Sequence, residues 1–384
     1  MQPLASIVGD ARIVALGEAT HGTREFFQFK HRMVEFLASQ RGFTIFSIEA
    51  NMPEAYRLND FVLNGNGDPK QLLKGMYFWT WNTEEVLDMI LWMREFNRSG
   101  KGRIEFTGFD MQTPDVAMDT VKSFVALHDR SYGPTLDSTY ADVAQSRKRG
   151  FSQRAGAASV EQKLSGHLLV LECRQAVEHL RHNRAQFLTD GVDAEDADWI
   201  IQNAGIVLQY AQLQSGEQSR DQSMAENVEW IADHNPGAKI VLWAHNGHVK
   251  YTNPPGFDPM GGYLHKKFGG QLVNFGFAFN EGSFRAIETG KGLREFTVGP
   301  LPEDSFDRAL ASAGIPLFVL DLRQVPKSGP VADWFVRAHK MRSIGAVYSE
   351  KDAGSPMFIS EERWPHDYDA IVFVEKTTAS RGIP

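Results

Sequence analysis

One cysteine stands in the 384 residues, Cys173, so no intramolecular disulfide can brace this chain. That usage fits a reducing compartment. Long apolar runs are missing too, and none reaches the length that crosses a bilayer. The opening stretch, MQPLASIVGDARIVALGE, has no basic start, and Asp10 and Arg12 interrupt its apolar residues. The expectation is a cytoplasmic protein with no membrane partner. Positive charge is also in short supply: 40 Lys and Arg face 48 Asp and Glu, for a formal charge of −8. That balance argues against nucleic acid or an anionic surface as partner. No internal repeat and no long low-complexity tract occurs.

Several reactive motifs are absent as well. There is no G-x-S-x-G, so the serine elbow of α/β-hydrolases is missing. No H-E-x-x-H occurs, which excludes a zincin-type site. No Walker A loop and no G-x-G-x-x-G is found, because ETGKG lacks the upstream glycine. Cys173 falls in a helical pattern beside Leu169, Val170 and Val177, a core position and not a nucleophile's. What remains is water as the nucleophile, activated by histidine or by a metal.

What the chain does contain is ordinary globular material, 42% hydrophobic and 23% charged. Short apolar runs read as buried strands: Ile13–Leu16, Thr44–Ile48, Ile104–Phe106, Lys239–Trp243, Pro316–Leu320 and Ala370–Val374. Helical patterns lie between the early ones. TREFFQFKHRMVEFLASQ sets Phe26, Phe29, Met33 and Leu37 on one face, with Thr23 as N-cap. Asn82 and Glu85 form a capping-box pattern. The alternation predicts an α/β fold, a mostly parallel central sheet covered by helices. The signal at Asn280–Gly282 predicts an antiparallel hairpin. The chain reads as a single domain over 1–384, with a helix-rich portion at 113–235. Within that portion, the polar stretch 129–159 reads as a mobile loop whose basic cluster, Arg147, Lys148, Arg149 and Arg154, is a solvated surface.

Four of these strands end in acids or histidines. The first is followed by Glu18 and His21, the second by Glu49, the third by Asp110, the fourth by His245 and His248. In open parallel sheets, sites form beyond the carboxyl ends of the strands. Carboxylates beside imidazoles make a general base. The same set also suits a divalent metal. Arg220 can present a cation to this rim, and Asp221 reads as a first-turn or capping acid. MYFWTWN, with Tyr77, Trp79 and Trp81, is either core or the apolar wall of a pocket.

The stretches LGEATHGTREFFQFKHRMVEFL, FSIEAN, FWTWNTEEVLDMILWMREFN, GFDMQ, RDQSMAENVEW and LWAHNGHV resemble, in order and approximate spacing, the successive motifs of the erythromycin esterase family. That family includes proteins described as succinoglycan-biosynthesis-like. The resemblance runs from about Ile7 onward. It implies a helix-rich portion beside an active-site cleft, and hydrolysis of the macrolactone ester of 14-membered macrolides without metal or other cofactor. It puts His21 at the general-base position, Glu18 at the neighbouring acid, and His245 and His248 at the paired histidines. Glu49, Asp110, Arg220, Asp221 and Arg32 match further motif positions. The aromatics Tyr77, Trp79 and Trp81 are then expected against a small-molecule substrate, a macrolide lactone. Two other classes stay open: a metal-dependent hydrolase or transferase acting on a polysaccharide or other metabolite, and a small-molecule binder without catalysis.

Overall fold

The computed structural model describes residues 4–150, 160–252, 256 and 258–383. They divide into two compact units. One comprises Met1–Ala50, Ala55–Phe109 and Ala225–Pro384, and the other Asn51–Glu54 and Asp110–Met224. Ten strands are described: β1 (Ile13–Leu16), β2 (Ile45–Asn51), β3 (Glu105–Asp110), β4 (Ile240–Trp243), β5 (Leu272–Glu288), β6 (Gly292–Val298), β7 (Leu317–Asp321), β8 (His339–Arg342), β9 (Ile359–Glu362) and β10 (Ala370–Thr377).

The main sheet runs β3-β2-β4-β1-β5-β10-β7, with β6 paired to β5; β8 and β9 form a separate pair. β1 lies parallel to β4 and to β5, β2 to β4, and β10 to β5. β7 pairs antiparallel with β10, and β6 with β5. The fold is therefore α/β with a mostly parallel sheet flanked by helices. The central strands are apolar throughout because both faces are buried: IVAL in β1 and IVLW in β4 are entirely inside. Helix Arg24–Arg41 covers one face, with Phe26 against Phe277 and Phe27 against Trp243, ring centroids 5.3 and 4.9 Å apart.

Three local expectations change. The hairpin expected at Asn280–Gly282 is not a turn. β5 continues through it, and Gly282, at φ 130°, keeps pairing with Thr377 of β10 before β6 takes over. The chain reverses only after Glu288. The capping residue expected at Asn82 is Thr83, whose hydroxyl accepts from the Val86 N–H at 3.3 Å. The loop expected at 129–159 contains a helix, Gly133–Gly150. Its apolar stripe is sparse, Leu136, Tyr140 and Val143 at i, i+4 and i+7, and all three are buried in the helix-rich unit. Residues 151–159, including Arg154, lie outside the described residues. That unit also contains helices Asp115–His128, Val160–Thr189 and Ala194–Ser215, and Cys173 is buried there, its thiol pushed up to about 12 by burial.

The segment 378–383 straps the start of helix Arg24–Arg41. The Arg24 N–H donates to the Thr378 carbonyl at 3.0 Å, and the Ser380 N–H to the Gly22 carbonyl at 2.9 Å. The Thr378 N–H and hydroxyl both reach Glu25, each at 2.6 Å. The Ile383 N–H donates to the Asn82 carbonyl at 3.1 Å. Among the described residues no helix is long and apolar enough to cross a membrane.

Candidate active site

The residues after β1, near the end of β2 and after β4 come together within one unit. Glu18 is fully buried and accepts three hydrogen bonds. His21 Nδ1 lies 2.6 Å from Oε1, while Lys30 Nζ and Trp243 Nε1 donate to Oε2 at 2.6 and 2.8 Å. A buried carboxylate needs such partners to stay ionised. Lys30 is itself fully buried, 4.3 Å over the Trp243 ring. Burial pulls its ammonium down to about 8, against the pull of Glu18, so it remains a cation at neutral pH. Gly22 closes the loop tightly: a Cβ there would collide with the Arg285 backbone.

The bond to Glu18 assigns the proton of neutral His21 to Nδ1 and leaves the Nε2 lone pair for chemistry. His245 carries the opposite assignment. Its Nδ1 accepts from the Gly247 N–H at 3.1 Å, so Nε2 carries the hydrogen. That Nε2 is buried; it meets no well-aligned acceptor among the described residues, though the Ile344 backbone favours its protonated form. The two rings lie 5.1 Å apart. Glu49 serves the second strand end: its Oε2 accepts from the His245 backbone N–H at 2.8 Å, and its Oε1 lies 3.4 Å from His248 Nε2. The result is two carboxylate–histidine pairs with a neutral imidazole beside them.

Burial, with His21 nearby, lowers His245 from 6.5 to about 3. The sign of its effect on stability follows. The unfolded chain takes up a proton near pH 6.5 and the folded chain does not, so folding free energy is lost as pH falls from about 6.5 towards 3. His245→Gln is expected to flatten this part of the acid-unfolding profile. Urea unfolding at pH 7, 5.5 and 4 checks it, and an unchanged profile would reject a buried neutral histidine at this position.

The remaining expected site residues separate. Arg32 is on the solvent face of helix Arg24–Arg41, paired with Glu35, because the helix turns position 32 away from the stripe formed by Phe26, Met33 and Leu37. The cation that meets the rim from this helix is Lys30. Sequence reasoning missed it, though a lysine on an apolar stripe at i+4 from Phe26 was a readable signal. Trp81 belongs to the core: it is 1% exposed, donates through Nε1 to the Glu49 carbonyl at 3.0 Å, and packs on Trp243 with centroids 5.6 Å apart. Trp79 is partly exposed, and Tyr77 is 66% exposed with φ at 65°. In the helix-rich unit, Arg220 grips Asp110 with Nε and Nη2 at 3.0 and 2.7 Å, and Asp221 is the first-turn acid of helix Arg220–His234.

Trp81→Ala is expected to cost about 3–5 kcal/mol, because it leaves a cavity between Phe27 and Trp243. Trp79→Ala is expected to cost well under half of that. Thermal melts of the two variants check the difference, and equal melting temperatures would put Trp81 outside the core. Among the described residues, no three His, Cys, Asp or Glu side chains form a group that could hold a metal ion. Both oxygens of Glu18 are already taken by protein groups.

The arrangement can remove a proton from water at His21 and offer a neutral N–H donor at His245. The family profile described as Erythromycin esterase matches residues 38–377. Erythromycin esterase type II of Escherichia coli is 25% identical over 362 residues, covering 85% of this chain and 84% of that protein. Erythromycin esterase type I of Escherichia coli is 22% identical over 382 residues, covering 91% and 89%. A solved structure of a Bacillus cereus protein matches with a TM-score of 0.83 at 25% identity, covering 100% of this chain and 93% of that one.

Proposed function

Because this chain belongs to the erythromycin esterase family, we propose that it hydrolyses the macrolactone ester of 14-membered macrolides and so inactivates them as antibiotics. The observation that carries the reading is the complementary pair of imidazoles, one with its Nδ1 held by Glu18 and its Nε2 lone pair left over, and one whose buried N–H has no well-aligned acceptor among the described residues. His21 Nε2 takes a proton from water as the water oxygen attacks the lactone carbonyl. The His245 N–H donates to the oxyanion that forms. Collapse breaks the acyl C–O bond, the alkoxide takes a proton from the His21 imidazolium, and the products are one carboxylic acid and one hydroxyl on the opened ring. Glu18 and Lys30 stabilise the imidazolium stage by keeping a carboxylate against Nδ1. Glu49 holds His245 and His248 in register with it.

The test is incubation of purified protein with a panel of macrolides and no nucleotide or acyl donor. A 14-membered lactone is expected to gain the mass of one water, with the oxygen label of H₂¹⁸O in the new carboxyl group. Chelator is expected to leave the rate intact. Loss of activity on chelation would favour a metal-dependent hydrolase. Macrolides bound but recovered unchanged would favour a binder.

A further inference from the structure

One buried cation plays no part in that chemistry. Arg342, at the end of β8, is 5% exposed. Its guanidinium donates to the Asn280 and Gly299 carbonyls at 3.2 and 2.7 Å and lies 5.0 Å over the Phe279 ring. Those bonds use two of its five N–H groups. Among the described residues no carboxylate forms an ion pair with it. Asp307 comes nearest to that role, but its Oδ2 accepts from the Arg342 backbone N–H at 2.8 Å and its Oδ1 has no partner among the described residues. Burial pushes that carboxyl up to about 7, so near neutral pH it supplies only part of a counter-charge. Buried arginines are ordinarily paired, since an uncompensated buried charge is costly.

Arg342 lines a cavity of about 280 Å³ whose apolar wall includes Val298, Leu301, Ile344 and Phe358. Tyr348 lines it as well. Its ring is fixed by Phe284, Phe296 and Phe358, with centroids 5.1, 5.1 and 4.9 Å away. Its hydroxyl makes no hydrogen bond among the described residues. A guanidinium with only two of its five N–H groups bonded and a phenol therefore border one largely apolar space. The space is at the small end of ligand sites, which start at ~300 Å³, and far below what a glycosylated macrolactone needs.

We propose that this cavity binds a small carboxylic acid with a compact apolar body, its carboxylate on Arg342 and Tyr348 and its body against Val298, Leu301 and Phe358. The charge of the ligand completes the ion pair that Arg342 lacks, and the two N–H and O–H donors fix its orientation. The site is distinct from the catalytic rim, though its wall touches it: the Ile344 N–H donates at 2.7 Å to the carbonyl of Ala19, next to Glu18.

The test is calorimetric titration of the full chain with benzoate, and with benzyl alcohol as the uncharged probe of the same shape. Benzoate is expected to bind saturably at one site per chain, at least ~10-fold more tightly than benzyl alcohol. Tyr348→Phe keeps the ring packing and is expected to weaken benzoate ~10-fold. Arg342→Met is expected to abolish benzoate binding, provided its melt shows a folded chain. The proposal is overturned if benzoate shows no saturable binding, if both probes bind alike, or if Tyr348→Phe binds benzoate as the parent does. Heat of binding is read without turnover, so the result stands apart from whether the rim opens macrolides.

Discussion

His21→Ala is expected to lower kcat/KM on a macrolide lactone by ~10²-fold or more, the usual contribution of a positioned base. The fold should survive. Glu18 keeps Lys30 and Trp243 as partners when the imidazole is removed, so no buried charge is orphaned. The loop backbone stays held by Ile344 and by the segment 378–383. The melting temperature should therefore change by no more than a few degrees. The loss should fall on kcat more than on KM, because the proton is taken only as the water attacks. Added imidazole should restore part of the rate, since the vacated space opens beside Glu18. A variant with near-parent turnover would remove His21 from the mechanism. A variant that melts early would make the measurement one of folding.

Lys30→Met should destabilise the chain about as much as Trp81→Ala, and for a different reason. The methionine fits the volume, but Glu18 is then left fully buried without its cation. Removing one partner of a buried pair costs about 3–5 kcal/mol, roughly 5–10 °C in melting temperature for a chain of this size. Much of that cost is relieved if Glu18 takes up a proton, and a neutral Glu18 no longer stabilises a protonated His21. Turnover should fall together with stability. The double variant Lys30→Met/Glu18→Gln separates the causes, because it removes both charges. It should be more stable than Lys30→Met alone and still slow. A double variant that loses the full sum of the two single costs would show that the pair is uncoupled.

The contrast between Lys30 and Arg32 shows what the chain's letters carried and what they withheld. Both stand in the same helix, and periodicity alone puts 30 on the apolar stripe and 32 opposite. The resemblance favoured Arg32, and the stripe read from the sequence passed over Lys30; the structure buries Lys30 against Glu18 and leaves Arg32 outside. Central strands such as β1 and β4 were readable because parallel strands buried on both faces must be apolar throughout. The helix Gly133–Gly150 was not, since its three buried apolar side chains, Leu136, Tyr140 and Val143, make too thin a stripe to stand out from a loop. At the rim, the residue types Glu18, His21, Glu49, His245 and His248 were visible at strand ends. Their pairing was not. Trp243 reaches Glu18 across 225 residues of sequence, and the opposite proton assignments of His21 and His245 depend on which neighbour each Nδ1 meets. Likewise Trp81 could not be told from a pocket wall until its indole N–H found the Glu49 carbonyl.

The strap at 378–383 bears on the order in which the protein matures. The hydrogen bonds between Thr378 and Glu25 span 353 residues, among the longest separations in the chain. During synthesis β1, Glu18 and His21 emerge well before Thr378 and Ser380. Contacts of such separation close late, because the entropy of the intervening chain opposes them until most of it has condensed. The backbone at Gly22 is pinned only when Ser380 has been synthesised and docked. A chain cut before Ser380 would keep every residue of the proposed site but leave the His21 loop unpinned at Gly22.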